Sequence, residues 1–164
     1  MPGTPEIATR AEQPYVAIRA KVTMAGLGAF AARFSDVIGW LGARGIAPAG
    51  PPFFKYNVID MMRELEVEAG WPVAAPVTGD EQVLAGVLPA GRYATAIHVG
   101  DPSELVGAVQ ALLEWASSQD LKWDVTPGTD GEHWGCRLEN YLTNPAEEPD
   151  MSKWVTELAF RLAD

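Results

Sequence analysis

The chain has 164 residues, of which 48% are apolar and 21% are charged, and its formal net charge is −10 at pH 7. This composition is that of one globular domain and excludes a disordered chain. No run approaches the roughly 20 consecutive apolar residues of a membrane-spanning helix, so we expect no membrane partner. The acidic balance argues against a direct nucleic acid partner, because neutralising phosphates requires a cationic surface.

Counts of cysteine and histidine limit the chemistry further. The single cysteine, Cys136, excludes an internal disulfide and a cysteine-rich zinc site. The only histidines are His98 and His133, so we expect no metal and no cofactor. Residues 1–13 are polar and lack both periodicity and the apolar stretch of a signal peptide. They are predicted to form a flexible tail, and a cytoplasmic location is expected.

The first half of the chain has the pattern of a strand, a helix and two strands. Residues 15–24 are rich in β-branched side chains and predict a strand. In residues 25–44 apolar side chains recur at helical spacing, and Gly45 predicts the end of that helix. Two strands follow at residues 53–59 and 64–73, and the alternating glutamates of the second predict one solvated face.

The second half repeats this order. After a strand at residues 92–99, Asp101 is predicted to cap a helix with Pro102 at its first position, and apolar spacing continues to about residue 120. The remaining predictions are short strands at 82–88 and 121–125, a turn region at 126–133, a strand at 134–143, a helical turn at 150–154 and a final strand at 155–162.

The predicted fold class is therefore α+β, built from two β-α-β-β units at residues 14–75 and 90–164. Two copies of one unit usually pack about a pseudo-twofold axis, as an antiparallel sheet carrying two main helices. A ligand groove between the halves, floored by the sheet, is the expected result. The alternative is that two common β-α-β-β patterns occur together by coincidence.

Glu139 is unusual because glutamate is disfavoured in the middle of a strand. Strand alternation puts it on one face with Arg137 and Tyr141, while Trp134 and Cys136 lie on the other face. If that face meets helix aromatics, desolvation raises the pKa of Glu139. Such a carboxylate can neutralise a cation stacked on aromatic rings, or act as a general acid or base. The alternative is a solvated glutamate paired with Arg137.

Five segments together resemble a known family. They are PPFFKYN (51–57), LEVEAGWPV (65–73), LPAGRYATAIHVGDPSEL (88–105), RLENYLTNPAEEP (137–149) and WVTELAFRLA (154–163). Their order and spacing resemble the GyrI-like small-molecule-binding domain. That domain is the effector-binding part of AraC- and MerR-type multidrug regulators and also occurs alone. The resemblance covers residues 14–164 as a single domain.

The resemblance implies a duplicated β-α-β-β fold with a groove between the helices and an acidic residue at its floor that attracts lipophilic cations. By position in the pattern E-x-Y-L-x-N-P, that residue is Glu139. The other predicted ligand-binding residues are all aromatic. They are Tyr141 on the same face, Phe54 and Tyr56 on the opposite wall, and Trp40 and Trp115 at the edges of the helical stripes. Lys55 is expected to face away from Tyr56.

Three functions remain open at this point. The first is a stand-alone module that binds hydrophobic, often cationic aromatic molecules. The second is a hydrolase that opens the cyclopropane ring of DNA-alkylating antibiotics, with Glu139 and Tyr141 as catalytic residues. The third is a protein-binding role like that of the gyrase inhibitor that names the family. Only 13 residues precede the first predicted strand, so we expect no helix-turn-helix domain and no sequence-specific DNA binding.

His98 has two interpretations. It ends a predicted strand, where the resemblance places a recurrent histidine. It is either a proton carrier near the groove or a structural residue that holds the following Gly-Asp-Pro turn. The structural role is favoured, because the chain offers no partner for metal or triad chemistry.

Overall fold

The computed structural model describes residues 4–60 and 63–163. This part of the chain contains ten strands: β1 (Glu6–Arg10), β2 (Gln13–Val22), β3 (Phe53–Ile59), β4 (Leu65–Pro72), β5 (Leu84–Leu88), β6 (Gly91–Val99), β7 (Val125–Gly128), β8 (Gly131–Trp134), β9 (Arg137–Tyr141) and β10 (Val155–Arg161). Its helices are α1 (Leu27–Phe30), α2 (Arg33–Ala43) and α3 (Leu105–Ser118).

The sheet confirms the predicted duplication. Its strand order is β1-β6-β10-β9-β3-β4-β2-β5, and all neighbouring strands are antiparallel. The first, second and third strands of one unit are β2, β3 and β4, and those of the other are β6, β9 and β10. Each unit therefore has the same internal order, and the second strands, β3 and β9, meet at the centre. This arrangement is an α+β fold with pseudo-twofold symmetry.

The two edge strands are exchanged between the halves. β1 precedes the first unit in sequence but pairs with β6 of the second, and β5 precedes the second unit but pairs with β2 of the first. The prediction of a flexible tail over residues 1–13 is therefore wrong for Glu6–Arg10. Arg10 also forms an ion pair with Glu157 of β10 at 3.0 Å. Residues 1–3 of that predicted tail lie outside the described residues.

The helix predicted over residues 25–44 is divided. A 3₁₀ turn (Met24–Gly26) leads into α1, and a turn at Ala31 and Ala32 separates α1 from α2. The amides of Phe34 and Ser35 donate to carbonyls three residues back, which is the tighter bonding of a turn. The predicted end is confirmed, because Gly45 has a φ of 68°, a conformation that glycine adopts without steric cost.

The start of the second helix is confirmed. The Asp101 carboxylate accepts the amide of Ser103, and the Glu104 carboxylate accepts the amide of Asp101, both at 2.9 Å. Pro102 is in the first turn, which is a 3₁₀ turn (Pro102–Glu104) continued directly by α3. This reciprocal arrangement satisfies two amides that the helix itself cannot.

The strand predicted over residues 134–143 is interrupted at Gly135 and Cys136. A Cβ at Gly135 would collide with the Asp124 carboxylate, and the Gly135 amide donates to the Asp124 carbonyl at 2.8 Å. The interruption changes the alternation, so Trp134 packs on the same side as Arg137, contrary to the prediction. Cys136 lies on the opposite side from Glu139 as predicted.

Two other boundaries in this region differ from the prediction. The region expected to be a turn, 126–133, is a hairpin of β7 and β8 that pairs with the end of β3. The short strand predicted at 121–125 is reduced to an isolated bridge between Trp123 and Leu162, and β7 begins at Val125. The predicted helical turn near the end of the chain is confirmed as the 3₁₀ turn Met151–Lys153.

Both faces of the sheet carry a buried core. The larger core lies between the helices and the sheet, and the smaller includes Tyr15 and Phe53 on the other face. The glutamates of β4 were expected on a solvated face, but Glu68 is buried and accepts hydrogen bonds from Tyr15 and Asn57, each at 2.5 Å. Lys55 lies 3.8 Å from Glu68 and so faces away from Tyr56, as predicted.

Within residues 4–60 and 63–163, no helix is both long enough and apolar enough to cross a bilayer.

Candidate functional site

A cavity of about 1130 Å³ lies between the helices, with the central strands as its floor. The helices contribute apolar side chains from both halves, including Leu27, Phe34 and Ile38 on one side and Val109 and Leu113 on the other. The floor contributes the polar and aromatic side chains Phe54, Tyr56, Trp71, Arg137, Glu139 and Tyr141. A large, mostly apolar space with a few polar groups is typical of a small-molecule site.

Glu139 is at the junction of the two halves. It lies on β9 directly opposite Phe54 of β3, and only 9% of its surface is exposed. Its Oε1 accepts two hydrogen bonds, from the hydroxyls of Tyr56 at 2.9 Å and Tyr141 at 2.7 Å. Its Oε2 accepts no hydrogen bond from residues 4–60 and 63–163. One oxygen is therefore held in place by two hydroxyls, and the other has no hydrogen-bond donor among these residues.

The electrostatics of Glu139 are set by opposing effects. Burial raises its pKa, while the hydrogen bonds from Tyr141 and Tyr56 and the charge of Arg137 lower it, with burial the largest influence. Burial, followed by the charge of Glu139, raises the pKa of both tyrosines well above the ordinary value. The tyrosines therefore keep their protons and remain donors to the carboxylate.

Aromatic rings surround this carboxylate. Phe34 of α2 stacks on Phe54 with centroids 5.0 Å apart. Tyr141 makes edge contacts with Phe54 at 5.5 Å and with Phe34 at 5.9 Å. These contacts fix the ring planes before any ligand enters. Of the predicted site residues, the structure brings together Phe54, Tyr56, Glu139 and Tyr141.

Trp40 and Trp115 do not line the cavity, so their predicted positions are wrong. The Trp40 indole donates to Asp80 at 2.8 Å, and the Arg44 guanidinium lies 3.7 Å from its ring centroid. Trp115 is partly buried against the helix-side core. The reason is helix geometry, because each tryptophan lies two residues, about 200°, from a cavity-lining position, Ile38 in α2 or Leu113 in α3.

Two tryptophans that were not predicted as site residues line the cavity instead. Trp71 of β4 donates to the Phe34 carbonyl at 2.9 Å. Trp154, just before β10, donates to the Glu148 carbonyl at 2.7 Å. Strand alternation could have identified Trp71, because it shares a face with the core residue Val67. No comparable signal marks Trp154.

Arg137 is a further lining residue that was not predicted. Its guanidinium lies over the rings of Trp134 and Phe160, with Cζ 4.7 and 4.5 Å from the two centroids. No ion pair or hydrogen bond joins it to Glu139 among the described residues, and Glu139 is buried. The alternative of a solvated glutamate paired with Arg137 is therefore wrong. Burial lowers the pKa of Arg137, and the charge of Glu139 opposes this.

His98 is buried and is not part of the cavity lining. Its Nε2 lies 3.4 Å from the Asp101 carbonyl, at the turn before α3. This position agrees with the structural interpretation. In the described part of the chain, no cluster of three or more His, Cys, Asp or Glu side chains could hold a metal ion.

The same fold occurs in other solved structures. The C-terminal domain of EcmrR matches with a TM-score of 0.76 at 17% identity, over 98% of this chain and 98% of that domain. EcmrR in its complex with DNA matches with a TM-score of 0.77 at 17% identity. This match covers 98% of the present chain but only 57% of that EcmrR chain.

Two further solved structures share the fold. SAV2435 bound to tetraphenylphosphonium matches with a TM-score of 0.68 at 9% identity, over 98% of this chain and 94% of that one. A hydrolase from Listeria innocua matches with a TM-score of 0.58 at 15% identity, over 97% and 91%.

Sequence comparison gives a family but no individual relative. No curated protein matches this sequence. Residues 3–163, nearly the whole chain, match the GyrI-like small molecule binding domain. The protein belongs to the GyrI-like family.

Proposed function

We propose that this protein binds hydrophobic aromatic cations in the cavity between its halves, with Glu139 as the countercharge. The observation that carries the proposal is a buried carboxylate with one oxygen held by two tyrosines and the other unbonded to any described residue. It lies at the floor of an apolar cavity large enough for several fused rings. A carboxylate in this setting favours a ligand that brings a diffuse positive charge.

The aromatic surroundings support shape-tolerant binding. Rings stack on Phe34, Phe54 and Tyr141 without requiring particular hydrogen bonds, and most of the affinity would come from apolar area. The fold already desolvates the carboxylate, so binding a lipophilic cation adds only the cost of desolvating the cation, which is small for a diffuse charge. The net charge of −10 adds a favourable long-range field.

One structural neighbour supports the ligand class. SAV2435, which shares the fold, is described bound to tetraphenylphosphonium. That ion is a rigid, apolar cation with four aromatic rings and no hydrogen-bonding group. It is therefore a suitable probe for a site that recognises charge and aromatic surface alone.

The test is a titration with tetraphenylphosphonium, followed by calorimetry, on the wild type and Glu139→Gln. The control is Glu66→Gln, which removes the same charge from β4 on the face away from the cavity. We expect Glu139→Gln to weaken binding at least tenfold, about 1.4 kcal/mol, and Glu66→Gln to change it less than twofold. Equal effects of the two variants, or no saturable binding by the wild type, would contradict the proposal.

A second function is favoured by the raised pKa of Glu139. A carboxyl with a raised pKa keeps its proton to higher pH and can act as a general acid, and the apolar cavity would hold the reacting ring beside it. A hydrolase from Listeria innocua shares the fold. The reaction proposed for this chain adds water across a strained cyclopropane. One ring C–C bond and one O–H bond of water break, a C–O bond and a C–H bond form, and Glu139 relays the proton from water to the second ring carbon.

This activity is tested by incubating the protein with a cyclopropane-bearing DNA-alkylating drug and following its mass. Hydrolysis adds one water molecule to the drug. We expect Glu139→Gln to abolish any such product, and Glu66→Gln to leave its rate unchanged. A drug that binds but is recovered unaltered would limit the function to binding.

A further inference from the structure

The guanidinium of Arg137 lies in the cavity wall, and none of the described residues accepts a hydrogen bond from it. It makes no ion pair and no hydrogen bond with residues 4–60 and 63–163, and its Nε is fully enclosed without a partner. Partly buried arginines are normally paired, because desolvating a charge is costly unless hydrogen bonds replace water. The function proposed above does not use this group.

Aromatic packing holds Arg137 in place. Trp134 and Phe160 lie within 4.7 and 4.5 Å of its Cζ, and these two rings are themselves in edge contact at 5.7 Å. Cation–π contact compensates part of the cost of burial and fixes the guanidinium plane. Both rings lie on one side of the guanidinium, because their centroids are only 5.7 Å apart, and Nε is enclosed. The terminal nitrogens are therefore the part that a ligand in the cavity can contact.

The charges that surround Arg137 leave it unneutralised. The carboxylates that influence its pKa are Glu139 on its own strand and Glu132 on β8. Neither lies within ion-pair distance, and Glu132 is exposed. Arg137 and Glu139 share one face of β9, so their backbones are separated by about 6.6 Å, two residues of a strand. The floor therefore presents a cation and a carboxylate side by side.

We propose that the cavity selects aromatic ligands that carry a carboxylate as well as a positive centre, with Arg137 binding the carboxylate. This inference rests on the proposed function, because the positive centre is the part assigned to Glu139. The guanidinium fork matches a carboxylate with two parallel hydrogen bonds, a geometry that a single ammonium cannot supply. Ligands of this class neutralise both charges of the floor at once.

The test uses two fluorescent dyes with the same xanthene rings. Rhodamine 123 is a methyl ester and a cation, whereas rhodamine 110 carries the free carboxylate. Each is titrated by fluorescence anisotropy into the wild type, Arg137→Met, Arg137→Lys and Glu139→Gln. Methionine keeps an unbranched apolar side chain against Trp134 and Phe160, so the packing is retained while the charge is lost.

We expect Arg137→Met to weaken binding of rhodamine 110 at least tenfold and to leave rhodamine 123 unchanged or bound more tightly. Arg137→Lys should restore part of the affinity for rhodamine 110. If Arg137→Met weakens both dyes equally, Arg137 acts only through packing and the inference is wrong, while loss of rhodamine 123 binding in Glu139→Gln still supports the proposed function. If the carboxylate effect appears but Glu139→Gln changes neither dye, the inference stands and the role proposed for Glu139 fails.

Discussion

The chemistry of this site depends on the hydrogen bonds that two tyrosines donate to one carboxylate. Tyr56 and Tyr141 both donate to the same oxygen of Glu139, which stabilises the ionised form. Burial acts in the opposite direction and is the larger influence on the pKa of Glu139. The pKa of Glu139 is thus higher than that of an exposed glutamate, and a bound cation would lower it again.

Binding of a cation should therefore depend on pH. Only the ionised Glu139 attracts the ligand, so affinity for tetraphenylphosphonium should rise with pH through the raised pKa and level off above it. Below that pKa the loss should approach about tenfold per pH unit, because a proton and the cation then compete for one site. Calorimetric titrations between pH 5 and 8 on the wild type and Glu139→Gln provide the measurement, and the variant should show no such slope.

Tyr141→Phe supplies a control on the cause of this pH dependence. It removes one hydrogen bond from the ionised carboxylate, so the pKa of Glu139 should rise and the midpoint should move up by about one unit. Tyr93→Phe is matched to it, because Tyr93 is also buried but donates to the Pro89 carbonyl on the other face. A midpoint that moves equally in both variants would show that the shift reflects general loosening.

At the scale of elements, the position of α3 depends on its first turn. Asp101 caps that turn, and α3 then carries Val109 and Leu113 over the cavity. We expect Asp101→Ala to lower the free energy of unfolding by about 1 kcal/mol, measured by urea denaturation, because the amide of Ser103 loses its acceptor. Asp101→Asn should cost much less, since its carbonyl still accepts. Equal losses in the two variants would mean that the cap does not stabilise the helix.

The elements themselves were largely predictable from local patterns. β3 has the predicted limits, and both the Asp101 cap and the Gly45 stop were predicted from the sequence, because caps and turns depend on a few neighbouring residues. The site was predictable where it lies on strands, since alternation determines the face: Phe54, Tyr56, Glu139 and Tyr141 all line the cavity.

The errors have physical causes at the same scale. On a helix, a tryptophan at the edge of an apolar stripe can turn either way, and Asp80, 40 residues later in the chain, provides the hydrogen bond that holds Trp40 outside. Just before β9, the close approach of Asp124 to Gly135 interrupts the strand alternation. The side chain of Trp134 therefore lies on the opposite face from the predicted one. Both outcomes depend on contacts between distant segments, which a local pattern does not contain.

At the scale of the whole molecule, the exchanged edge strands tie the two halves together. β1 and β5 each leave the unit that they adjoin in sequence and complete the sheet of the other. β1 is short and polar, so nothing in its composition distinguishes it from a tail, and its partner strand lies in the second half of the chain. The exchange means that opening one edge should weaken the half that is remote in sequence.

A chain that begins at Ala11 tests this coupling. We expect it to fold with a free energy of unfolding lowered by about 1–3 kcal/mol, because it loses the five residue pairs of β1 with β6 and the Arg10–Glu157 ion pair. Hydrogen exchange should accelerate in β6, whereas β2, next to β1 in sequence, should keep its protection from β4 and β5. Affinity for tetraphenylphosphonium should change less than twofold, since none of residues 4–10 lines the cavity. Faster exchange in β2 with β6 unaffected would show that β1 stabilises its sequence neighbour, and that the halves are not tied by exchange.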